Sequence, residues 1–348
     1  MTLRADVAVH ELPLGEAFTI SRGSQETAEV VVVELDDGER VGVGAAAPSA
    51  YYGESVDSVR AALPDLLDAA EAVGDPHEVQ RIERQLQERA PDDAAARTAV
   101  DIALWDLHAR RLDTPLYRLF GLDADATPRT SYTISIGDLD GMRQRTEAAV
   151  EEGYEVLKVK LGTEHDREVV ETVRAAAPDA TVRVDANCAW DVDTALAMTD
   201  VLAANDVEFV EQPVAADDVA GLRRVRVEGA VPVAADESCV TAADVPRVAD
   251  AVDIVVCKLL KCGGVGPAIK QIQTAHANGL QVMLGCMVTS DAAISAAAHL
   301  SPLVEYADVD GALLLAEDVY EGVPMPEGRI DLRAVDRPGT GVRRVDRE

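Results

Sequence analysis

Aromatic side chains are scarce in this sequence, at 3% of its 348 residues. Because 48% of the chain is nonetheless hydrophobic, its core must be assembled mainly from Ala, Val and Leu. No apolar run approaches the roughly 18–20 residues needed to cross a bilayer. Met1–Gly15 lacks a positive start followed by an apolar run, so no secretion signal is expected. The default is a soluble, cytoplasmic protein. Cysteine is also sparse: Cys188, Cys239, Cys257, Cys262 and Cys286 form no CxxC pair, and their odd number argues against a disulfide framework. They are expected to be small buried residues. The six histidines (His10, His77, His108, His165, His276, His299) show no HExxH-type spacing and read as structural or surface groups. Positive charge is short as well. The formal net charge of −31 makes nucleic acid and anionic membranes poor partners, since phosphate binding needs clustered Lys and Arg. Acidic residues are scattered, as in Asp92-Asp93, Glu151-Glu152 and Asp217-Asp218. Such a surface repels itself at low salt and is screened at high salt, which suggests a salt-rich (halophilic) cytoplasm.

The scarcest basic residue is lysine. Of 32 basic residues only Lys158, Lys160, Lys258, Lys261 and Lys270 are lysines, and four of them fall in two short clusters. Arginine does not deprotonate in proteins, whereas a lysine amine can be tuned to exchange a proton. A sequence that otherwise prefers arginine therefore points to chemistry at 158–160 and 258–261.

Two regions differ in pattern. In residues 1–125, weak alternation over Asp6–Leu12 is followed by β-rich runs Val30–Leu35 and Val41–Ala45 around an Asp36-Asp37-Gly38 turn. Helical spacing then covers Ser55–Glu71, Pro76–Arg89 and Asp92–Arg110. These features predict a small α+β domain. In residues 126–348, short apolar runs alternate with helix-length segments. The runs are Tyr132–Ser135, Val156–Lys160, Val182–Asp185, Glu208–Glu211, Val231–Asp236, Ile254–Lys258, Val282–Gly285 and Val304–Asp308. Eight strands with seven intervening helices predict an α/β fold, a closed (β/α)7β TIM-like barrel, and no GxGxxG or P-loop supports an open doubly wound sheet.

Lys160, Asp185, Glu211, Asp236 and Lys258 each fall at or near the C-terminal end of a predicted strand, at spacings of 25, 26, 25 and 22 residues. In a barrel those ends converge on one face, where active sites lie. Three carboxylates on adjacent strands without histidine suit a hard cation, Mg²⁺ first and Mn²⁺ second. A carboxylate substrate bound there would have its developing charge stabilised, while Lys160 and Lys258 could exchange a proton on opposite faces. Nearby positive charge, from the metal and Lys158, is expected to lower the amine pKa values toward the working range.

The runs Lys158-Val159-Lys160, Val184-Asp185-Ala186-Asn187, Val210-Glu211-Gln212-Pro213, Ala235-Asp236-Glu237-Ser238 and Lys258-Leu259-Leu260-Lys261-Cys262-Gly263-Gly264 resemble the muconate-lactonizing subgroup of the enolase superfamily. The resemblance covers nearly the whole chain and implies that residues 1–125 form an α+β capping domain. It implies Asp185, Glu211 and Asp236 as Mg²⁺ ligands, Lys160 and Lys258 as the acid/base pair, and Lys158 as a holder of the substrate carboxylate. Asp308-Val309-Asp310-Gly311 resembles the Asp-x-Asp motif of dipeptide epimerases, in which Asp308 and Asp310 would hold an α-ammonium group. Gly44–Ser55 also resembles that group's capping segment. One departure is Thr289, where a family segment often carries Glu. The loop around Leu14–Arg22 would close over the barrel mouth, with Phe18, Ile20 and Arg22 facing the substrate side chain.

The leading expectation is Mg-dependent epimerisation of a dipeptide by 1,1-proton transfer through a metal-stabilised enediolate. Muconate cycloisomerisation and o-succinylbenzoate synthesis use the same residues and remain open from sequence, as does a catalytically silent binding protein. The expected partner is a small-molecule carboxylate, with no nucleic acid and no membrane. A homo-oligomer is possible by family analogy.

Overall fold

The computed structural model describes residues 3–345. It opens with an antiparallel sheet of β1 (Arg4–Ile20), β2 (Gly23–Asp36) and β3 (Val41–Ala46). The β2–β3 turn is closed by the Asp37 carboxylate, which accepts from the Glu39 and Arg40 backbone N–H groups. Helices α1 (Val56–Val73), α2 (Val79–Arg89), α3 (Ala94–Arg111) and the single turn α4 (Leu116–Leu119) follow. Helix α1 begins with reciprocal Ser55–Ser58 capping, and Asp93 caps α3.

The segment expected to be a loop around Leu14–Arg22 is instead mostly strand. Pairing with β2 breaks after Pro13 and resumes at Phe18, so only Ser21-Arg22 remains as a hairpin turn. In the gap, Leu14 turns away to pair with Leu315 beyond the barrel strands. The hairpin tip is thereby a two-stranded arm.

The barrel strands are β4 (Tyr132–Ile134), β5 (Val156–Lys160), β6 (Thr181–Asp185), β7 (Val207–Glu211), β8 (Val233–Ala235), β9 (Ile254–Lys258), β10 (Gln281–Gly285) and β11 (Tyr306–Asp308). They pair in sequence order and in parallel, and a Thr130–Ala307 bridge closes the ring. Strand β8 is shorter than the predicted Val231–Asp236, since Pro232 offers no N–H to the ladder. Around the strands run α5 (Leu139–Glu151), α6 (Asp166–Ala176), α7 (Val192–Ala204), α8 (Val219–Glu228), α9 (Val245–Val248), α10 (Leu259–Cys262), α11 (Val265–Ala277) and α12 (Asp291–Ala298). Asp138, Asp191, Asp218 and Ser290 cap α5, α7, α8 and α12, so the turns out of these strands use the same short polar chemistry.

Parallel strands covered on both faces read as continuous apolar runs, and Ile254–Lys258 is buried throughout. Side chains two apart share a face. Thus Phe209, Ala234 and Val256 lie in an inner cluster with Ile254 and Met283, one step below Glu211, Asp236 and Lys258. The C-terminal segment returns to the first region: Gly339 O accepts from Leu116 N, and the Thr340 N–H and hydroxyl both donate to Asp106. Among the described residues no helix is long and apolar enough to cross a membrane.

Candidate active site

Lys160, Asp185, Glu211, Lys258 and Asp308 are the last residues of their strands, and Asp236 directly follows β8. Backbone register places Lys160 beside Asp185 and Asp185 beside Glu211. The structure therefore gathers at one barrel mouth the ring expected from the sequence. Strands β5 and β9 are four apart in an eight-stranded ring, so Lys160 and Lys258 approach from opposite sides. Both line a cavity of about 700 Å³ with Lys158, Asp236, Asp308 and Asp310. Its outer wall is the first region: Phe18, Ile20 and Arg22 from the hairpin, and Tyr51 and Tyr52 from the segment after β3. Asp185 and Glu211 lie fully buried.

The lysines and carboxylates interlock. Lys158 Nζ lies 2.7 Å from Asp308 Oδ2, 2.7 Å from Glu211 Oε2 and 3.5 Å from Asp185 Oδ2. Lys160 Nζ donates to Asp185 Oδ2 at 2.7 Å, and Lys258 Nζ to Asp236 Oδ2 at 2.8 Å. Burial alone would lower the Lys158 ammonium, but Asp308, Glu211 and Asp185 hold it well above the usual lysine range. Burial raises Asp185 in isolation, yet Lys160 and Lys158 bring it down to about 2. Glu211 goes the other way: burial and the Asp185 charge push it up to about 8. For Lys258 burial acts downward and so, as expected, does the Lys158 charge, but among the protein's own groups Asp236 and Glu211 outweigh both, and the amine is raised.

The two aspartates of the Asp-x-Asp pair differ. Asp308 is held by Lys158 and by the Ser131 hydroxyl at 2.7 Å, and its carboxyl stays below the ordinary value despite burial. Asp310 accepts from the Thr133 N–H at 2.7 Å, and burial next to Asp308 pushes it up to about 7. Arg22 reaches in from the hairpin: its Nη1 donates to Glu237 Oε1 at 2.7 Å and to Asn187 O at 2.9 Å, and the guanidinium lies 4.4 Å over the Tyr51 ring. Met287 and Val288 line the cavity, while Thr289 is buried with its hydroxyl unpaired. All five cysteines are free; Cys239, Cys257 and Cys262 are buried, whereas Cys188 and Cys286 are partly exposed.

Sequence reasoning assigned no role to Glu237, Gln212 or Lys261. Gln212 binds the Asp236 and Ser238 N–H groups through Oε1, and Ser238 Oγ through Nε2. It does so with φ of 37°, and Asn187 and Cys188 beside Asp185 are likewise left-handed at 47° and 68°. Backbone held in that region by non-glycine residues marks sites where geometry is over-determined. Lys261 Nζ, fully buried, contacts Asp236 Oδ1 at 2.5 Å and the carbonyls of Asp236, Cys239 and Val256. A second lysine three residues after the first was the available signal.

Could these residues hold a divalent cation? Among the described residues no three His, Cys, Asp or Glu side chains converge as a ready ligand set, because lysine ammoniums lie between the carboxylates. The donor chemistry nevertheless fits. Asp185, Glu211 and Asp236 offer only carboxylate oxygens, which suits Mg²⁺. Glu211 Oε1 is wholly buried without a hydrogen-bond partner, and Oε2 meets Lys158 without hydrogen-bond alignment. An orphaned carboxylate oxygen at that depth is costly unless a cation engages it.

Residues 141–347 match the model of the enolase C-terminal domain-like family. Residues 4–121 match the N-terminal domain model of mandelate racemase/muconate lactonizing enzyme. The L-Ala-D/L-Glu epimerase of Bacteroides thetaiotaomicron is 37% identical, over 97% of this chain and 86% of that protein. The Escherichia coli protein of the same name is 38% identical over 92% and 97%. A solved dipeptide epimerase from Enterococcus faecalis, complexed with Mg and L-Leu-L-Tyr, superposes with a TM-score of 0.91 at 31% identity, covering 98% and 99% of the two chains.

Proposed function

This chain belongs to the mandelate racemase/muconate lactonizing enzyme family of the enolase superfamily, and from that premise we propose that it is a Mg²⁺-dependent dipeptide epimerase. One observation carries the reading. Two lysines from strands on opposite sides of the ring line one cavity that also holds a pair of buried aspartates.

The residues divide the work as follows. Asp185, Glu211 and Asp236 hold Mg²⁺, which when bound supplies positive charge to the substrate carboxylate. Lys158 adds a fixed cation to the same carboxylate. One of Lys160 and Lys258, as the free amine, takes the proton from the carbon α to that carboxylate. The other, as the ammonium, returns a proton to the opposite face, and the configuration inverts. Each lysine must change state each turnover, and each has a carboxylate hydrogen-bonded beside it, Asp185 for Lys160 and Asp236 for Lys258. Asp308 and Asp310 hold the substrate's α-ammonium group, since paired carboxylates suit a cation. Phe18, Ile20, Arg22 and Tyr51 bound the side-chain pocket, closing water out of the mouth. The net charge of −31 supports a salt-rich cytoplasm as the working environment.

The test is deuterium uptake by dipeptides in D₂O with Mg²⁺ across a range of KCl. The expected result is incorporation at the epimerised carbon that rises with salt, with epimerisation lost in Lys160→Ala and in Lys258→Ala. Folded, metal-loaded protein that exchanges no dipeptide proton at any salt concentration contradicts the reading.

A further inference from the structure

We propose that helix α3 of the N-terminal region is a positioning element for Lys258, acting through Thr98 and Asp101 on the turn that follows the lysine. This inference rests on the proposed proton-transfer role of Lys258.

The backbone leaving Lys258 makes one helical turn, α10, and ends at Gly263 and Gly264, whose φ values are 103° and 123°. Two side chains from α3 seize that turn at both ends. The Thr98 hydroxyl lies 2.8 Å from Leu259 O, the carbonyl immediately after the lysine, and 2.8 Å from Ala94 O in its own helix. Asp101, fully buried, accepts from the Val265 N–H at 2.5 Å, with the Gly266 N–H adding a second contact. Asp101 thus caps the N-terminus of α11 from a different domain, supplying an acceptor that Gly264 at the cap position cannot.

The glycines make this approach possible. A Cβ on Gly264 would lie 2.1 Å from Asp101 Oδ1, and one on Gly263 would lie 3.0 Å from Arg97 Nε. Left-handed backbone and absent side chains therefore serve one contact, the closure of α3 onto the turn.

The opposite lysine is held differently. After Lys160 the Leu161 N–H donates to Asp185 O, and the Gly162 N–H to the Asp166 carboxylate, all within the barrel. Lys258 is thus braced across domains, whereas the hydrogen bonds that follow Lys160 stay within one. An amine that must meet a carbon-bound proton tolerates little displacement, and a shift near 1 Å can cost roughly a hundredfold in rate.

The brace is tested with Thr98→Val, which keeps the shape and deletes the hydroxyl, and with Asp101→Asn and Thr98→Ser. Steady-state kinetics is combined with α-proton exchange measured separately from each epimer in D₂O. The epimer that Lys258→Ala fails to exchange identifies the face served by that lysine. Thr98→Val and Asp101→Asn should lower kcat by about ten- to a hundredfold with KM within about twofold. Their exchange loss should be confined to the epimer served by Lys258, and Thr98→Ser should restore wild-type behaviour. Equal loss at both epimers, or undiminished exchange at both, overturns the brace while leaving the epimerase reading intact. Wild-type protein that exchanges neither epimer overturns that reading, and the brace with it.

Discussion

The interior and the surface of this protein use different cations. Lys158, Lys160, Lys258 and Lys261 are all buried, and Lys270 alone among the lysines is exposed. Arginines take the outside, pairing along exposed helix faces as in Arg143–Glu147 and Arg224–Glu228. Arg97 and Arg183 are buried exceptions, and both donate to backbone carbonyls. The division follows from chemistry. Arginine holds its charge permanently, while a compact ammonium can either give up a proton or be surrounded by oxygens on several sides. Lys160 and Lys258 suit the first use. Lys158 and Lys261, with three or more oxygens each, suit the second.

The sharpest way to break this comparison is to put arginine inside. Lys160→Arg and Lys258→Arg keep the charge beside Asp185 and Asp236 but remove an exchangeable amine. Each should reduce epimerisation by about a thousandfold, the scale of general acid–base catalysis, with the protein still folded. Activity retained by either variant would mean that its charge alone is needed.

A smaller effect is expected on stability from removing a purely electrostatic lysine. Lys158→Met strands Asp308 and Glu211 in the interior and should cost about 3–5 kcal/mol in denaturant unfolding. A loss no greater than that of an exposed pair would show that neighbouring lysines or water already satisfy those carboxylates.

The third case is a buried base outside the site. His299 accepts the Tyr117 N–H at 3.2 Å, and burial pushes its pKa down to about 4. Its folded value lies below the unfolded value near 6.5, so its contribution is complete above that pH and drains away as pH falls toward 4. At pH 5 the loss is about 2 kcal/mol. His299→Gln should flatten the pH dependence of the melting temperature over this window, and an unchanged slope would assign acid sensitivity elsewhere.

Much of the barrel was legible because parallel strands buried on both faces are apolar runs, and the site because lysine is rare enough for its positions to stand out. The longer β1 was not legible, since Glu11–Ile20 is largely exposed or half-buried and carries no clean alternation. Nor were the contacts that assemble the site from both domains. Thr98–Leu259, Asp101–Val265 and Arg22–Glu237 join residues 161, 164 and 215 positions apart, and no local period announces them. The partnership of Asp308 with Lys158 was hidden for the same reason: both were singled out, but as contacts to substrate rather than to each other.

The central claim is that two lysines serve opposite faces of one carbon. Its most direct test is α-proton exchange from each separate epimer of a turned-over dipeptide, in D₂O with Mg²⁺, by Lys160→Ala and Lys258→Ala. The account predicts complementary defects, each variant exchanging one epimer and sparing the other's proton, with epimerisation lost in both. Exchange of both epimers by either variant would contradict it.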